Sequence, residues 1–184
     1  MTEAAPLTNA DDPTAIRVVD FLPHPPAVVW RALTTPDLLA QWLMPNDFAP
    51  AVGHRFTFRT DPIPATHFSG VIACEVLELS EPELLVISWA DESAENDMTT
   101  TVTFRLEVYD GGTRLSLAQE GFRADHPGDQ MARKIMGGGW GGRMFRRLAE
   151  VAGRPARWPT GVLPVRSTEP TRPDLRGLLE RPSI

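Results

Sequence analysis

Several things are scarce in this chain, and each scarcity removes a class of function. Cys74 is the single cysteine, so an internal disulfide scaffold and a thiolate metal cluster are both excluded. Lys134 is the one lysine among 18 basic residues, an arginine bias that reads as genome composition more than as a binding feature. The formal net charge of -6 argues against non-specific binding to nucleic acid. No apolar run approaches the roughly 18 residues of a membrane span, and Met1 to Asp12 is acidic and polar rather than signal-like. A cytoplasmic location is expected.

Catalytic signatures are equally sparse. The histidines are His24, His54, His67 and His126, and none is paired at i, i+4 with another ligand, so no metal site is expected. No serine sits in a nucleophile elbow. The glycines from Gly137 to Gly142 lack the Lys-Ser/Thr sequel and the preceding strand of a phosphate loop. Cys74 lies in an apolar strand and reads as an inert core thiol. Glu75 and Glu78 are too close along one strand to define an acid/base pair. No catalytic residue is assigned and no cofactor is expected.

What is present is one domain's worth of core. The chain has 184 residues, 42% of them apolar, which points to one folded domain. Asp129 to Ala152 reads as a long helix near its end. Wound at about 100° per residue, Met136, Trp140, Met144, Leu148 and Val151 form one apolar stripe. Met131, Gly138, Gly142, Phe145, Ala149 and Ala152 form a second beside it, so most of the circumference calls for cover. Gly137, Gly138, Gly139, Gly141 and Gly142 are costly in a helix interior, about 1 kcal/mol each against Ala. Either the helix starts late, near Trp140, or something approaches its backbone: a packed sheet, or a ligand beside Trp140.

Ahead of that helix, Ile16, Val18, Val19 and Phe21 read as a strand. Pro25-Pro26 opens a first short helix with Val29, Trp30 and Leu33 on its apolar side, since proline is tolerated where helical N–H groups have no partner. Thr35-Pro36-Asp37 signals a second, with Thr35 as N-cap and a carboxylate facing the dipole. From Val52 the period becomes two. Phe56 and Phe58 alternate with polar residues, Phe68 to Leu79 is a strand apolar on both faces, and Leu85, Ile87 and Trp89 mark another. Val102, Phe104, Leu106 and Val108 face the helix, with Arg105 and Glu107 outside. Asp110-Gly111-Gly112 is a hairpin turn, after which Leu115, Leu117 and Gln119 continue the apolar face. Residues 1–14 are expected as a disordered polar tail, 15–153 as the folded domain's extent by element order, and 154–184 as a Pro-rich extended or disordered tail with room for one helical turn at Asp174 to Leu179.

A one-sided antiparallel sheet needs a lid, so an α+β fold is expected: a curved antiparallel sheet wrapped around the long C-terminal helix, with two short helices after the first strand. The run Pro26-Ala27-Val28-Val29-Trp30-Arg31-Ala32-Leu33-Thr34-Thr35-Pro36, then Trp42-Leu43, Gly53-His54-Arg55-Phe56, Thr101-Val102-Thr103-Phe104, Glu120-Gly121-Phe122 and Gly139-Trp140, resembles the START-like (SRPBCC) superfamily. The branch is that of the activator of Hsp90 ATPase homologue C-terminal domain, and the likeness spans about Ile16 to Gly153. It implies the START-like helix-grip (Bet v 1-like) fold for the domain at 15–153. Many relatives carry a histidine where Gln119 stands, so a role for that imidazole does not transfer.

Trp30, Trp42, Phe56, Trp89, Phe104, Gln119, Met136, Trp140 and Met144 are the candidate ligand-binding residues, because their elements border the expected hollow. Few polar groups and several aromatic rings suit a hydrophobic or aromatic small molecule, with Gln119 as a neutral hydrogen-bonding group and Trp140 offering a ring face and one N–H. Non-catalytic binding of such a molecule is the expected function, with no nucleic acid or membrane partner. Two alternatives follow from the resemblance: a module acting on a chaperone (Hsp90-type) ATPase, and a cofactor-independent cyclase or self-sacrificing resistance protein for a polyketide-type metabolite.

Overall fold

A computed structural model of the protein describes residues 12–64, 67–93 and 95–155. Most of both expected tails, including the helical turn at Asp174 to Leu179, lies outside the described residues. The elements run β1 (Ala15–Leu22), α1 (Pro26–Thr34), α2 (Pro36–Trp42), β2 (Arg55–Arg59), β3 (Val71–Ser80), β4 (Leu84–Asp91), β5 (Thr99–Tyr109), β6 (Gly112–Glu120), α3 (Pro127–Gly139) and α4 (Gly142–Ala152). The six strands form one curved antiparallel sheet in the order β1-β6-β5-β4-β3-β2.

Period-two patterning decides which face of the sheet is covered. Phe56 and Phe58 of β2, Ile72, Cys74 and Val76 of β3, Leu85, Ile87 and Trp89 of β4, and Val102, Phe104 and Leu106 of β5 all enter one buried core. Arg105 is exposed, as the alternation requires. Asp110 and Gly111 both have positive φ, 44° and 74°, and join paired Tyr109 and Gly112. That is the two-residue turn whose twist matches antiparallel strands.

The structure corrects several sequence expectations. Val108 does not face a helix; it is 81% exposed, because β5 runs past the edge of the helical layer. Phe68 is not in β3, which begins at Val71, and pairs instead with Ile63 across a loop. The two-faced apolar character of β3 comes from a register shift between Val76 and Glu78, which leaves Leu77 exposed. Thr35 occupies the N-cap position of α2, but its side chain makes no capping bond.

The largest difference lies at the C-terminal end. The expected continuous helix is two helices, broken at Trp140 (φ -67°, ψ 133°) and Gly141 (φ 109°, ψ -158°). A run of glycines lowers helical propensity, and Gly141 takes a backbone conformation that residues with a Cβ avoid. A Cβ there would also meet Val18 Cγ1 at 3.3 Å. Of the two explanations for the glycine run, close packing against the sheet applies to Gly141. Gly138, Gly139 and Gly142 have open space where a Cβ would go.

The break ends the expected apolar stripes. α4 buries Phe145, Leu148, Val151 and Ala152 against α1, α2 and β1. α3 buries only Ala132 and Asp129, and Met131 and Ile135 stay exposed. The C-terminus of α4 is held by Arg31, which donates to the carbonyls of Ala152 and Arg154 at 3.3 and 3.1 Å, and by His24, whose Nε2 is 2.9 Å from the Ala149 carbonyl. Arg31 meets carbonyls at the helix end that have no intrahelical partner, while His24 adds a second contact to the Ala149 carbonyl, which also accepts from Gly153 N at 3.0 Å. At the other end the chain is already anchored from Asp12, which pairs with Arg17 and accepts from Arg133 through its carbonyl.

Candidate functional site

Where α3 leaves the sheet, a cavity of about 370 Å³ opens. Three loops and two helices build it. Leu43 and Met44 come from the end of α2, Thr60, Ile63 and Phe68 from the β2–β3 connection, and Asn96 and Met98 from the β4–β5 connection. Ala132, Ile135, Met136 and Gly139 descend from α3, Met144 from α4, and Trp140 from the break between them. The sheet supplies Ile72 and Trp89. Trp89 reaches it because Leu85, Ile87 and Trp89 share the inward face of β4. Trp140 reaches it from the break between α3 and α4, where its indole N–H bonds to Gln119 of β6.

Aromatic contacts run from this space into the core behind it. Trp89 and Trp140 meet edge to face with centroids 5.7 Å apart, and Trp140 meets Phe104 at 6.1 Å. From Trp89 the series continues through Phe58, Phe56 and Phe48 at 5.5, 5.3 and 5.1 Å. Such offset and edge-on pairs are favourable beyond their buried area.

Gln119 is fully buried. Its Oε1 accepts from Trp140 Nε1 at 2.7 Å, and its Nε2 donates to Thr100 Oγ1 at 2.9 Å. The Thr100 hydroxyl in turn donates to the Trp89 carbonyl at 3.3 Å. A polar chain thus ties both cavity tryptophans to strands β4, β5 and β6. The sequence expects Gln119 as a neutral hydrogen-bonding group within the hollow; its amide bonds to Trp140 and Thr100, and it is not among the residues that line the cavity. The Trp140 N–H is likewise committed, so the ring is what Trp140 presents.

Of the candidate residues, Trp89, Met136, Trp140 and Met144 line the cavity together. Trp30, Trp42, Phe56 and Phe104 pack in the core and are not part of its wall. Trp42 donates to the Ala32 carbonyl at 2.9 Å, joining α2 to α1. Sequence reasoning missed Met44, Ile63, Phe68, Met98 and Ile135, which sit in loops or on a helix face whose neighbours periodicity cannot name. A methionine-rich wall adapts readily to ligand shape.

One electrostatic feature flanks the cavity. Arg123 donates to both oxygens of Asp129, from Nη2 at 2.8 Å and Nε at 3.0 Å, and to both oxygens of Asp97 at 2.7 and 3.0 Å. It clamps the start of α3 to the β4–β5 connection, the two segments that carry Met136 and Met98. Asp129 is only 2% exposed, and the Arg123 guanidinium holds its carboxyl below the usual range. Arg123 does the same to Asp97.

Titratable groups are absent from the wall: none of the described lining residues is His, Cys, Tyr, Asp, Glu, Lys or Arg. Cys74 is buried elsewhere, and burial pushes its thiol up to about 12. His54 stacks beside Phe56, His67 is exposed, and the His126 ring caps α3 by accepting from Asp129 N at 3.2 Å. Glu75 pairs with Arg55 at 3.1 Å. Among the described residues no cluster of three or more His, Cys, Asp or Glu could hold a metal ion, and no helix is long and apolar enough to cross a membrane.

Comparison with known proteins gives a consistent relationship. The family model of the activator of Hsp90 ATPase homolog 1-like proteins matches residues 23–153. Protein MLL2253 from Mesorhizobium loti is 37% identical, with a TM-score of 0.64, over 74% of this chain and 95% of its own. The Aha1 dimer from Colwellia psychrerythraea is 19% identical at a TM-score of 0.59, over 75% of this chain and 95% of its own. DynU16, from the dynemicin biosynthetic locus, is 22% identical at a TM-score of 0.58, over 74% of this chain and 46% of its own; these last two likenesses are of fold alone. No curated protein matches the chain. The match over 23–153, together with a six-stranded sheet gripping two C-terminal helices, places the chain in the activator of Hsp90 ATPase homolog 1-like family, with its START-like fold.

Proposed function

We propose that the protein binds a hydrophobic or aromatic small molecule, without chemical conversion, in the cavity between the sheet and α3. The carrying observation is the cavity itself: about 370 Å³ of space whose wall is methionine, tryptophan and aliphatic side chains, with Thr60 and Asn96 as its polar members besides the indoles. Small-molecule sites of about 300–1,000 Å³ have this composition, mostly apolar with few directing groups. A wall without a titratable side chain offers no general acid or base, which favours binding over catalysis. The experiment is titration with the neutral probe N-phenylnaphthylamine, with native mass spectrometry of freshly purified protein beside it. Saturable fluorescence enhancement, or a co-purified small molecule, supports the reading; no enhancement and no adduct across a broad neutral library removes it. A chain cut at one glycine after exposure to a metabolite would replace it with the sacrificial reading.

A second reading is docking to a chaperone ATPase. The family's name supports it, together with an exposed aromatic pair, Phe21 and Tyr109, whose rings meet at 6.3 Å. Stimulation of an Hsp90-type ATPase that disappears in Tyr109→Ser would carry it, and unchanged ATPase rates would end it.

A further inference from the structure

We infer that the cavity selects uncharged, planar ligands bearing a hydrogen-bond-accepting oxygen, and that the Trp89 indole N–H is the donor that reads this oxygen. The inference rests on the binding reading above and gives it a ligand chemistry.

Indole nitrogens are donors only, and a buried one almost always finds a partner. The Trp42 N–H is bonded to the Ala32 carbonyl and the Trp140 N–H to Gln119. Trp30 stands away from the cavity wall. Trp89 does line the wall and is only 4% exposed. Among the described residues its N–H has no hydrogen-bond partner, while its carbonyl is engaged by Thr100. The sealed side-chain nitrogens and oxygens that lack a partner are represented among the described residues by Arg31 Nε alone. The Trp89 nitrogen is therefore not sealed, and the cavity is the open space that this residue lines. An apolar ligand that covers this donor leaves it unsatisfied at a cost, whereas a ligand that brings an acceptor does not.

The remaining wall defines the rest of the ligand. Trp89 and Trp140, held edge to face, offer ring surfaces to a flat aromatic body, and Met98, Met136 and Met144 close around it. No described lining residue carries a cation, so a carboxylate or phosphate would lose its hydration with no countercharge to offset it. That sets this cavity apart from a site for fatty-acid or phospholipid anions.

The test compares xanthone, its carbonyl-free analogue xanthene, and a xanthone carboxylate, each competing with N-phenylnaphthylamine. Xanthone should bind about 5- to 10-fold more tightly than xanthene, the worth of one hydrogen bond to a donor otherwise unpaired. The carboxylate should bind at least tenfold more weakly than xanthone at neutral pH. In Trp89→Phe, which keeps a ring but removes the N–H, the ratio of xanthone to xanthene affinity should fall to about one. A direct readout covers loss of fold in that variant: in native protein with nitrogen-labelled tryptophan, xanthone should shift the Trp89 indole N–H resonance downfield and xanthene should not, while the Trp140 resonance stays near its free position. If probe and xanthene bind but xanthone has no advantage, or if the Trp89 resonance does not move, the donor assignment is overturned and the binding reading survives. Equal affinity for the carboxylate overturns the charge selection. If nothing neutral binds, the binding reading itself falls.

Discussion

Trp140 Nε1 and Gln119 Oε1 lie 2.7 Å apart, joining residues 21 positions distant in the chain. The bond fixes the indole at the break between α3 and α4 and uses the Gln119 acceptor within the protein. Replacing the amide with an apolar group of similar length strands the Trp140 N–H and removes the donor to Thr100. Gln119→Leu should therefore lose about 1–3 kcal/mol in urea denaturation. Trp140→Phe in the same chain should recover part of that loss, because the orphaned donor goes with the indole. A Gln119→Leu variant within about 0.5 kcal/mol of the native protein would show that water or a rearranged partner satisfies the indole.

The Arg123 clamp predicts an acid-sensitive fold. Asp129 is held below its ordinary value of 3.8 first by its hydrogen bonds to Arg123 and then by that residue's charge. A depressed carboxylate stabilises the folded state fully above its unfolded value, and the contribution is lost as the pH falls through the folded value. Stability should thus be flat from neutral pH down to about 5 and decline below about 4. Asp129→Asn should be less stable at neutral pH by about 1–3 kcal/mol, with a shallower acid decline. Parallel pH profiles of the two proteins would separate Asp129 from the acid response.

Two glycines a few residues apart should respond in opposite directions to alanine. Gly141 has φ 109° and Val18 beside it, so Gly141→Ala should lose about 1–3 kcal/mol through backbone strain and crowding. Gly138 lies in α3 with open space around it, so Gly138→Ala should gain up to about 1 kcal/mol through helix propensity. Thermal melts of the pair check both signs. A destabilised Gly138→Ala would mean that α3 needs its glycine for more than space.

The edge of the helical layer can be located by substitution on β5. Leu106 is buried and Val108, two residues on, is exposed. Leu106→Ala should cost about 2–5 kcal/mol, whereas Val108→Thr should stay within about 0.5 kcal/mol. A large loss at Val108 would place it under protein after all.

What the sequence determined by itself is local. Side-chain alternation is a property of extended backbone, so the inward set Phe56, Phe58, Leu85, Ile87, Trp89, Val102, Phe104 and Leu106 could be read from period two alone. The Asp110-Gly111 turn and the proline starts of α1 and α2 were legible for the same reason, since each depends on φ preferences within a few residues. Tertiary structure decided the rest. Periodicity carries no information about where a covering helix ends, so it placed Val108 under a layer that stops at Leu106. Helical phase assigned Trp140 and Met144 to one stripe, but the strain-tolerant backbone of Gly141 and its seat against Val18 broke the helix between them. Gln119 had the expected inward face, but its partners Trp140 and Thr100 come from separate elements and could not be named from the sequence. The cavity wall drew Met44, Ile63, Phe68 and Met98 from loops without any period, and Arg123 joined Asp97 to Asp129 only once those loops were folded beside one another.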